Sequence, residues 1–255
     1  MKLISLNTWG GKLLEPLTVF FQKYKKEVDF FCLQEIYDSA EKKVIGGDMK
    51  SNLFAIIGTI LEHHHGFFTP TTIGYDMTGS KHPRLQFGQA TFYKKNIQIK
   101  DSGDFFVYRD KLDLISNNNR TAAKKLQYVI FNQNNSDFLI NNLHGLWYPP
   151  TKFDSPERIE QSNKIYSFLH NFRGKKVICG DFNLLPDTES FKIIEKGMKN
   201  LVKDFNIPTT RNSYYQSHEK FADYILVSPD IKTHQFKVLP DIVSDHQPLF
   251  LEFGS

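Results

Sequence analysis

Two short segments of this 255-residue chain concentrate residue types that do chemistry: Gly180-Asp181-Phe182-Asn183 and Ser244-Asp245-His246. Each follows a run of strand-forming residues, Lys175 to Cys179 and Val238 to Val243, so each is expected where a buried strand ends. Strand ends are where α/β proteins keep their chemistry. Two acids, an amide and an imidazole gathered there can hold a divalent cation, position a water and donate to a phosphate oxygen. The combination reads as metal-assisted phosphoryl hydrolysis.

Four further positions end strand-like runs with side chains of the same kind: Asn7, Glu35, His144 and Asp223. Any one of them alone is an ordinary turn or loop residue. Their joint occurrence with Asp181, Asn183, Asp245 and His246 carries the reading.

The elements that must position these residues follow from periodicity. Leu3 to Leu6 reads as a strand, Glu15 to Val28 as a helix with Leu17, Phe20, Phe21 and Tyr24 on one face, and Phe30 to Leu33 as a second strand. That order predicts a parallel pair carrying Asn7 and Glu35 on one edge. Tyr37 to Lys50 reads as a surface loop, Asn52 to Glu62 as a short helix, and Gly74 to Gln86 as a loop between strands at Phe67-Phe68 and Gln89 to Tyr93. Leu126 to Asn132 and Phe138 to Leu143 form a predicted antiparallel hairpin through Gln133-Asn134-Asn135-Ser136. Ser155-Pro156 starts a helix that Gly174 stops, Asp187 or Thr188 caps another, and strands return at Ala222 to Val227, His234 to Leu239 and Pro248 to Phe253. Strands of both senses interleaved with helices favour an α/β sandwich in one domain spanning 1–255.

Composition sets bounds. A formal charge of +4, a pI near 8.8 and a mean hydropathy of −0.41 describe a globular chain that permits an anionic partner without demanding one. The basic residues come as scattered doublets, Lys124-Lys125 among them, which read as solvated element ends. Cys32 and Cys179 sit in apolar runs and are expected to be buried thiols. No segment reaches the ~20 apolar residues that span a bilayer, and the N-terminus reads as a first strand rather than a signal peptide. An intracellular, cytoplasmic monomer is the expectation.

Leu6-Asn7-Thr8-Trp9, Leu33-Gln34-Glu35, Gly180-Asp181-Phe182-Asn183, Ala222-Asp223-Tyr224 and Ser244-Asp245-His246-Gln247-Pro248, in this order across nearly the full chain, resemble the endonuclease/exonuclease/phosphatase superfamily. That superfamily includes deoxyribonuclease I, the apurinic endonucleases, neutral sphingomyelinases and inositol polyphosphate 5-phosphatases. The resemblance implies a four-layered sandwich, two packed mixed sheets flanked by helices, with the site at one rim. It implies Mg²⁺, with Mn²⁺ as a substitute, held by Glu35 with Asn7 nearby and Asp245 as a further ligand. Asp181 would orient or deprotonate the attacking water, Asn183 would donate to a phosphate oxygen, and His246, oriented by Asp223, would act on the scissile phosphate. A carboxylate behind that imidazole is expected to favour its charged form. His144 matches a phosphate-contacting His, with Gln86 and Gln89 as candidates to support it.

Arg84, Arg120, Lys152, Arg158 and Arg211 lie in or beside predicted rim loops and are candidates to bind a non-scissile phosphate, although salt bridging is the ordinary role of any one. Trp147 and Tyr148 are candidates to stack on a base or sugar, or simply to pack. His63-His64-His65 cannot all face one ion and reads as a solvated helix end. The substrate stays open between nucleic acid, a phosphoinositide or lipid, and a small phosphorylated metabolite. A rival is a non-catalytic binding protein on the same fold, against which all the carboxylates are present.

Overall fold

The computed structural model describes residues 1–112, 122–147 and 151–254. β1 (Lys2–Asn7) leads through a 3₁₀ turn (Trp9–Gly11) into α1 (Leu14–Tyr24) and β2 (Phe30–Asp38). A small ribbon of β3 (Val44–Ile45) and β4 (Met49–Lys50) and then α2 (Leu53–Ile60) precede a long hairpin, β5 (His64–Tyr75) and β6 (Lys81–Lys94). β7 (Ile99–Tyr108), β8 (Lys124–Gln133) and β9 (Ser136–His144) follow, then α3 (Pro156–Asn171), β10 (Lys175–Asp181) and α4 (Glu189–Glu195). The chain closes with β11 (Lys199–Asn200), α5 (Leu201–Asp204), β12 (Asp223–Val227), β13 (Lys232–Val238) and β14 (Leu249–Gly254).

Two six-stranded mixed sheets result, ordered β13-β14-β1-β2-β6-β5 and β11-β12-β10-β9-β8-β7. Each contains one parallel pair, β1 with β2 and β9 with β10, bridged by a segment containing α1 or α3. Alternation along the strands sets the layers. Leu3, Phe30 and Cys32 pack with Phe138, Ile140, Val177 and Cys179 between the sheets, while Ile4, Leu6, Phe31 and Leu33 pack with Leu17, Phe20, Phe21, Leu53 and Ile57 of α1 and α2. Ile165, Leu169, Phe191 and Ile194 of α3 and α4 join the cluster that includes the second sheet's Val177 and Leu226. This is the four-layered α/β sandwich. Ser155 and Thr188 cap α3 and α4 by accepting from Arg158 N and Phe191 N.

The two sheets are also joined by a buried polar network. Gln34 donates to Asn142 Oδ1 at 2.7 Å, and Asn142 donates to the Leu33 and Ala90 carbonyls and to Gln127 Oε1. Gln89 donates to Asn142 O at 2.7 Å and accepts from His144 N at 3.1 Å. A buried network with most of its donors satisfied fixes one relative position of the two sheets. Gln89 therefore holds the end of β9 through main-chain atoms.

Three local expectations are corrected, and β7 is a strand that the pattern did not announce. The segment 74–86 belongs largely to β5 and β6, whose turn is tied by Asp76 accepting from Thr78 N and Ser80 N. β7 carries no clear apolar alternation, yet it pairs with β8 at the sheet edge. The run from Val238 is a strand only as far as Val238, so Ser244-Asp245-His246 stands in a connection before β14. His64 is buried at the start of β5 with Nε2 3.0 Å from Val28 O, while His63 and His65 are exposed. No helix of the described residues is long and apolar enough to cross a membrane.

Candidate active site

The parallel pairs bring their C-terminal ends to one edge. In register, Asn7 lies beside Gln34, Asp181 beside His144, and Asp181 also beside Asp223. Glu35 is turned into the site by a β-bulge: the pairing of β2 with β6 slips between Gln34 and Ile36, and Glu35 itself has φ +56°. Thr8 Oγ1 spans the Gln34 and Glu35 carbonyls at 3.0 Å each and pins that bulge. Gly180 is required where β10 passes β9, because a Cβ there would lie 2.0 Å from Leu143 O and φ is +137°.

Asn7 bridges the two central carboxylates. Its Nδ2 donates to Glu35 Oε1 and Asp181 Oδ2 at 3.0 Å each, while its Oδ1 accepts from Trp9 N at 3.0 Å. Asp181 Oδ1 accepts from Asn183 N at 3.0 Å, and Asn183, at φ +53°, sends Nδ2 toward Gly145 O at 3.4 Å. His246 Nδ1 lies 2.8 Å from both oxygens of Asp223, which also accepts from Thr210 Oγ1. On its other side, His246 Nε2 is 2.5 Å from Arg211 Nη1, which also reaches Asp245 Oδ2 at 3.3 Å. A guanidinium can only donate, so Nε2 is the acceptor and Nδ1 carries the proton toward Asp223.

Electrostatics follow from burial. Glu35 is pushed up to about 7, first by burial and then by Asp245, with Asp181 adding to it against the Asn7 bond and Lys124. Burial, then Arg211, pushes His246 down to about 4, outweighing Asp245 and Asp181, so the imidazole is neutral here where its carboxylate partner alone was expected to keep it charged. Asp223 moves the other way, up to about 7 through burial. His144 is held well below the ordinary imidazole range by burial and then Lys124.

The sequence of the chain matches the family model described as Endonuclease/Exonuclease/phosphatase family over residues 4–246. The chain belongs to the Endonuclease/Exonuclease/phosphatase family. Its members are phosphate-ester hydrolases that depend on a metal ion. No curated protein matches it. Among solved structures, a family protein from Leptotrichia buccalis superimposes with a TM-score of 0.73 at 17% identity, covering 100% of both chains. The mannosyl-6-phosphatase of Bacteroides thetaiotaomicron gives 0.72 at 17% identity, again with 100% of both chains covered. The human Nocturnin catalytic domain with bound sulfate anion gives 0.69 at 16% identity, covering 100% of this chain and 94% of that one. At such identities these likenesses show the fold.

The residues of this family member fit a divalent cation. Glu35, His144 and Asp181 offer ligand atoms within 4.8 Å of one another, as do Asp181, Asp223 and His246. The second group has committed its atoms to the Asp223–His246–Arg211 chain. The first keeps a buried carboxylate oxygen, Glu35 Oε2, with no partner. Hard cations prefer such oxygens, and the charge of Asp181 and Asp245 near Glu35 calls for one.

Glu35, His144, Asp181, Asn183, Asp245, His246, Arg211 and Trp147 line one cleft of about 330 Å³. Asn7 and Asp223 lie against it through their hydrogen bonds. Lys152 is buried, donating to Phe221 O at 2.9 Å, and burial draws it down to about 8. Arg158 gives its guanidinium to the Leu146, Phe153 and Trp147 carbonyls. Arg84 lines a separate groove with Lys43 and Lys81. Arg120 and Tyr148 fall outside the described residues. Sequence reasoning passed over Trp9, Phe87, Tyr215 and above all Lys124 as cleft-lining residues. Nothing in the Lys124-Lys125 doublet itself signalled that its first member, at the start of β8, is buried in the cleft.

Proposed function

We propose that the chain is a Mg²⁺-dependent phosphodiesterase that uses a water positioned by Asp181. The observation that carries this reading is the unpartnered, buried Glu35 Oε2, joined through Asn7 to Asp181, which lies 3.7 Å from Nε2 of the Asp223-bonded His246. Glu35 and Asp245 hold the ion, with Asn7 setting the spacing of Glu35 and Asp181. When bound, the ion supplies Lewis-acid charge stabilisation at the phosphoryl oxygens. Asp181 accepts a hydrogen bond from the water and aligns it for in-line attack, its other oxygen being held by Asn183 N. Asn183 Nδ2 and His246 face the cleft and stabilise the developing negative charge, as does His144. Arg211 sits on His246 Nε2, which must lose that bond and take up a proton before it can donate to a phosphate.

A compact cleft of about 330 Å³ with Trp9, Phe87, Trp147 and Tyr215 among its lining favours a small phosphate ester carrying a flat or sugar-like group over a polymer tracked along a basic surface. A second reading, a phosphomonoesterase, is favoured by the same small cleft and by the likeness to a mannosyl-6-phosphatase. Hydrolysis of bis-p-nitrophenyl phosphate and of p-nitrophenyl phosphate, with Mg²⁺ and with EDTA, separates the two. Asp181→Ala is expected to abolish Mg²⁺-dependent turnover of the preferred ester, and undiminished turnover by that variant refutes the mechanism.

A further inference from the structure

Lys124 opens β8 at the same rim, paired with Tyr108 of β7. There its side chain lines the cleft with Glu35, His144 and Asp181. Only 5% of it is exposed. Its neighbour Lys125 points the other way and is committed, with an ion pair to Asp104 at 2.9 Å and its ammonium over the Phe106 ring. The Lys124 ammonium makes no hydrogen bond or ion pair with any described residue, although Glu35 and Asp181 act on it through space. The other cleft cation, Arg211, is spent on His246, Asp245 and the Tyr215 ring.

An ammonium with three donors, on a side chain this buried and with no protein acceptor among the described residues, is placed to take an anion from the cleft. A partner can reach it through the cleft that it lines. That partner must be anionic and must sit within reach of Asp181, where the attacking water is aligned. We infer that Lys124 is the phosphoryl anchor of the cleft, its ammonium donating to a non-bridging oxygen of the scissile phosphate group. A lysine serves here as a compact point charge that can follow the phosphoryl oxygens as their geometry changes, which a planar guanidinium held in a fork cannot. The ligand's identity as a phosphate rests on the hydrolase reading above; the anion-binding role of Lys124 does not.

The test uses inorganic phosphate as the probe. Its affinity is measured calorimetrically for the wild type, Lys124→Met, Lys124→Arg and Lys125→Met, each in saturating Mg²⁺, and Mg²⁺ binding is measured separately without phosphate. Lys124→Met is expected to weaken phosphate binding tenfold or more, Lys124→Arg to recover part of the loss, and Lys125→Met to match the wild type. Mg²⁺ should bind Lys124→Met at least as tightly as the wild type, since a positive charge beside Glu35 and Asp181 has gone. Unchanged phosphate affinity in Lys124→Met overturns the inference, and so does a phosphate loss matched by an equal loss of Mg²⁺ affinity. Lys124→Gln repeats the comparison with a polar neutral side chain if the Met variant folds poorly. A wild type that binds phosphate through Lys124 but hydrolyses no phosphate ester sinks the hydrolase reading and leaves the anchor standing.

Discussion

Replacing Glu35 by Gln should stabilise the metal-free protein, and by an amount that depends on pH. The carboxyl is 8% exposed and sits with Asp245 and Asp181, so burial and like charge move it from 4.5 to about 7 in the fold. At ~1.4 kcal/mol per pH unit of displacement, the ionised side chain costs the native state ~3 kcal/mol. The sign follows from linkage: an acid with a raised native pKa binds its proton more tightly when folded, so the cost is absent below 4.5, grows through the interval and is complete above about 7. Gln keeps the acceptor that Asn7 Nδ2 uses at 3.0 Å while removing the charge. With ~2–4 °C per kcal/mol for a chain of this size, Glu35→Gln should melt ~6–12 °C above the wild type at pH 8 in EDTA. At pH 4.5 the two should nearly coincide. Saturating Mg²⁺ at pH 8 should reverse the order, because the wild type gains a ligand-bound state that the variant largely lacks. Thermal melts followed by circular dichroism at the two pH values, with EDTA and with Mg²⁺, give all the arms. A variant that melts at or below the wild type at pH 8 in EDTA, or a gap that does not change with pH, refutes the reasoning.

Asp223→Asn should lower kcat on bis-p-nitrophenyl phosphate by ~10³–10⁴ with little change in melting temperature, since the neutral amide offers a donor as well as an acceptor and no longer fixes the proton on Nδ1 or stabilises the charged ring; a loss under tenfold would count against the pair. Gly180→Ala should destabilise by ~3 kcal/mol or more in urea titration, because its Cβ would press on Leu143 O at 2.0 Å and φ is +137°. Gln89→Leu should cost ~2–4 kcal/mol and reduce kcat, since Asn142 O and His144 N both lose a buried partner; an unchanged denaturation midpoint would show that the network is not what positions β9.

The layered fold was legible wherever one side of an element is apolar. Leu17, Phe20, Phe21 and Tyr24 reported α1, and the caps at Ser155 and Thr188 reported α3 and α4. β7 was not legible because it is an edge strand whose Lys100, Asp101, Ser102 and Asp104 obscure alternation. The β5–β6 hairpin was hidden by Gly74, Pro83 and a polar turn that Asp76 ties through both its side chain and its main chain. Glu35 shows a different limit. Simple alternation puts Gln34 and Glu35 on opposite faces, and Gln34 does go into the inter-sheet network. Glu35 reaches the same edge only because a bulge at φ +56° re-aims it, a conformation for which no residue type here is a marker.

Strand ends were the right guide for half of the site, and topology explains the other half. In the parallel pairs, β1 with β2 and β9 with β10, all C-terminal ends reach one rim, and there the site residues close strands: Asn7, His144 and Asp181. A strand antiparallel to one of these meets the rim at its beginning. β12 runs against β10, so Asp223 opens it opposite Asp181. β14 runs against β1, so Asp245 and His246 lie just before Leu249 and need no strand ahead of them. β8 runs against β9, with Leu126 opposite Leu143, which carries its first residue past His144 into the cleft. Lys124 thus occupies a position equivalent to that of Asp223. The rule that places an acknowledged site carboxylate at a strand start places the unpartnered ammonium there as well, and composition alone, which sees only a lysine doublet, has no access to it.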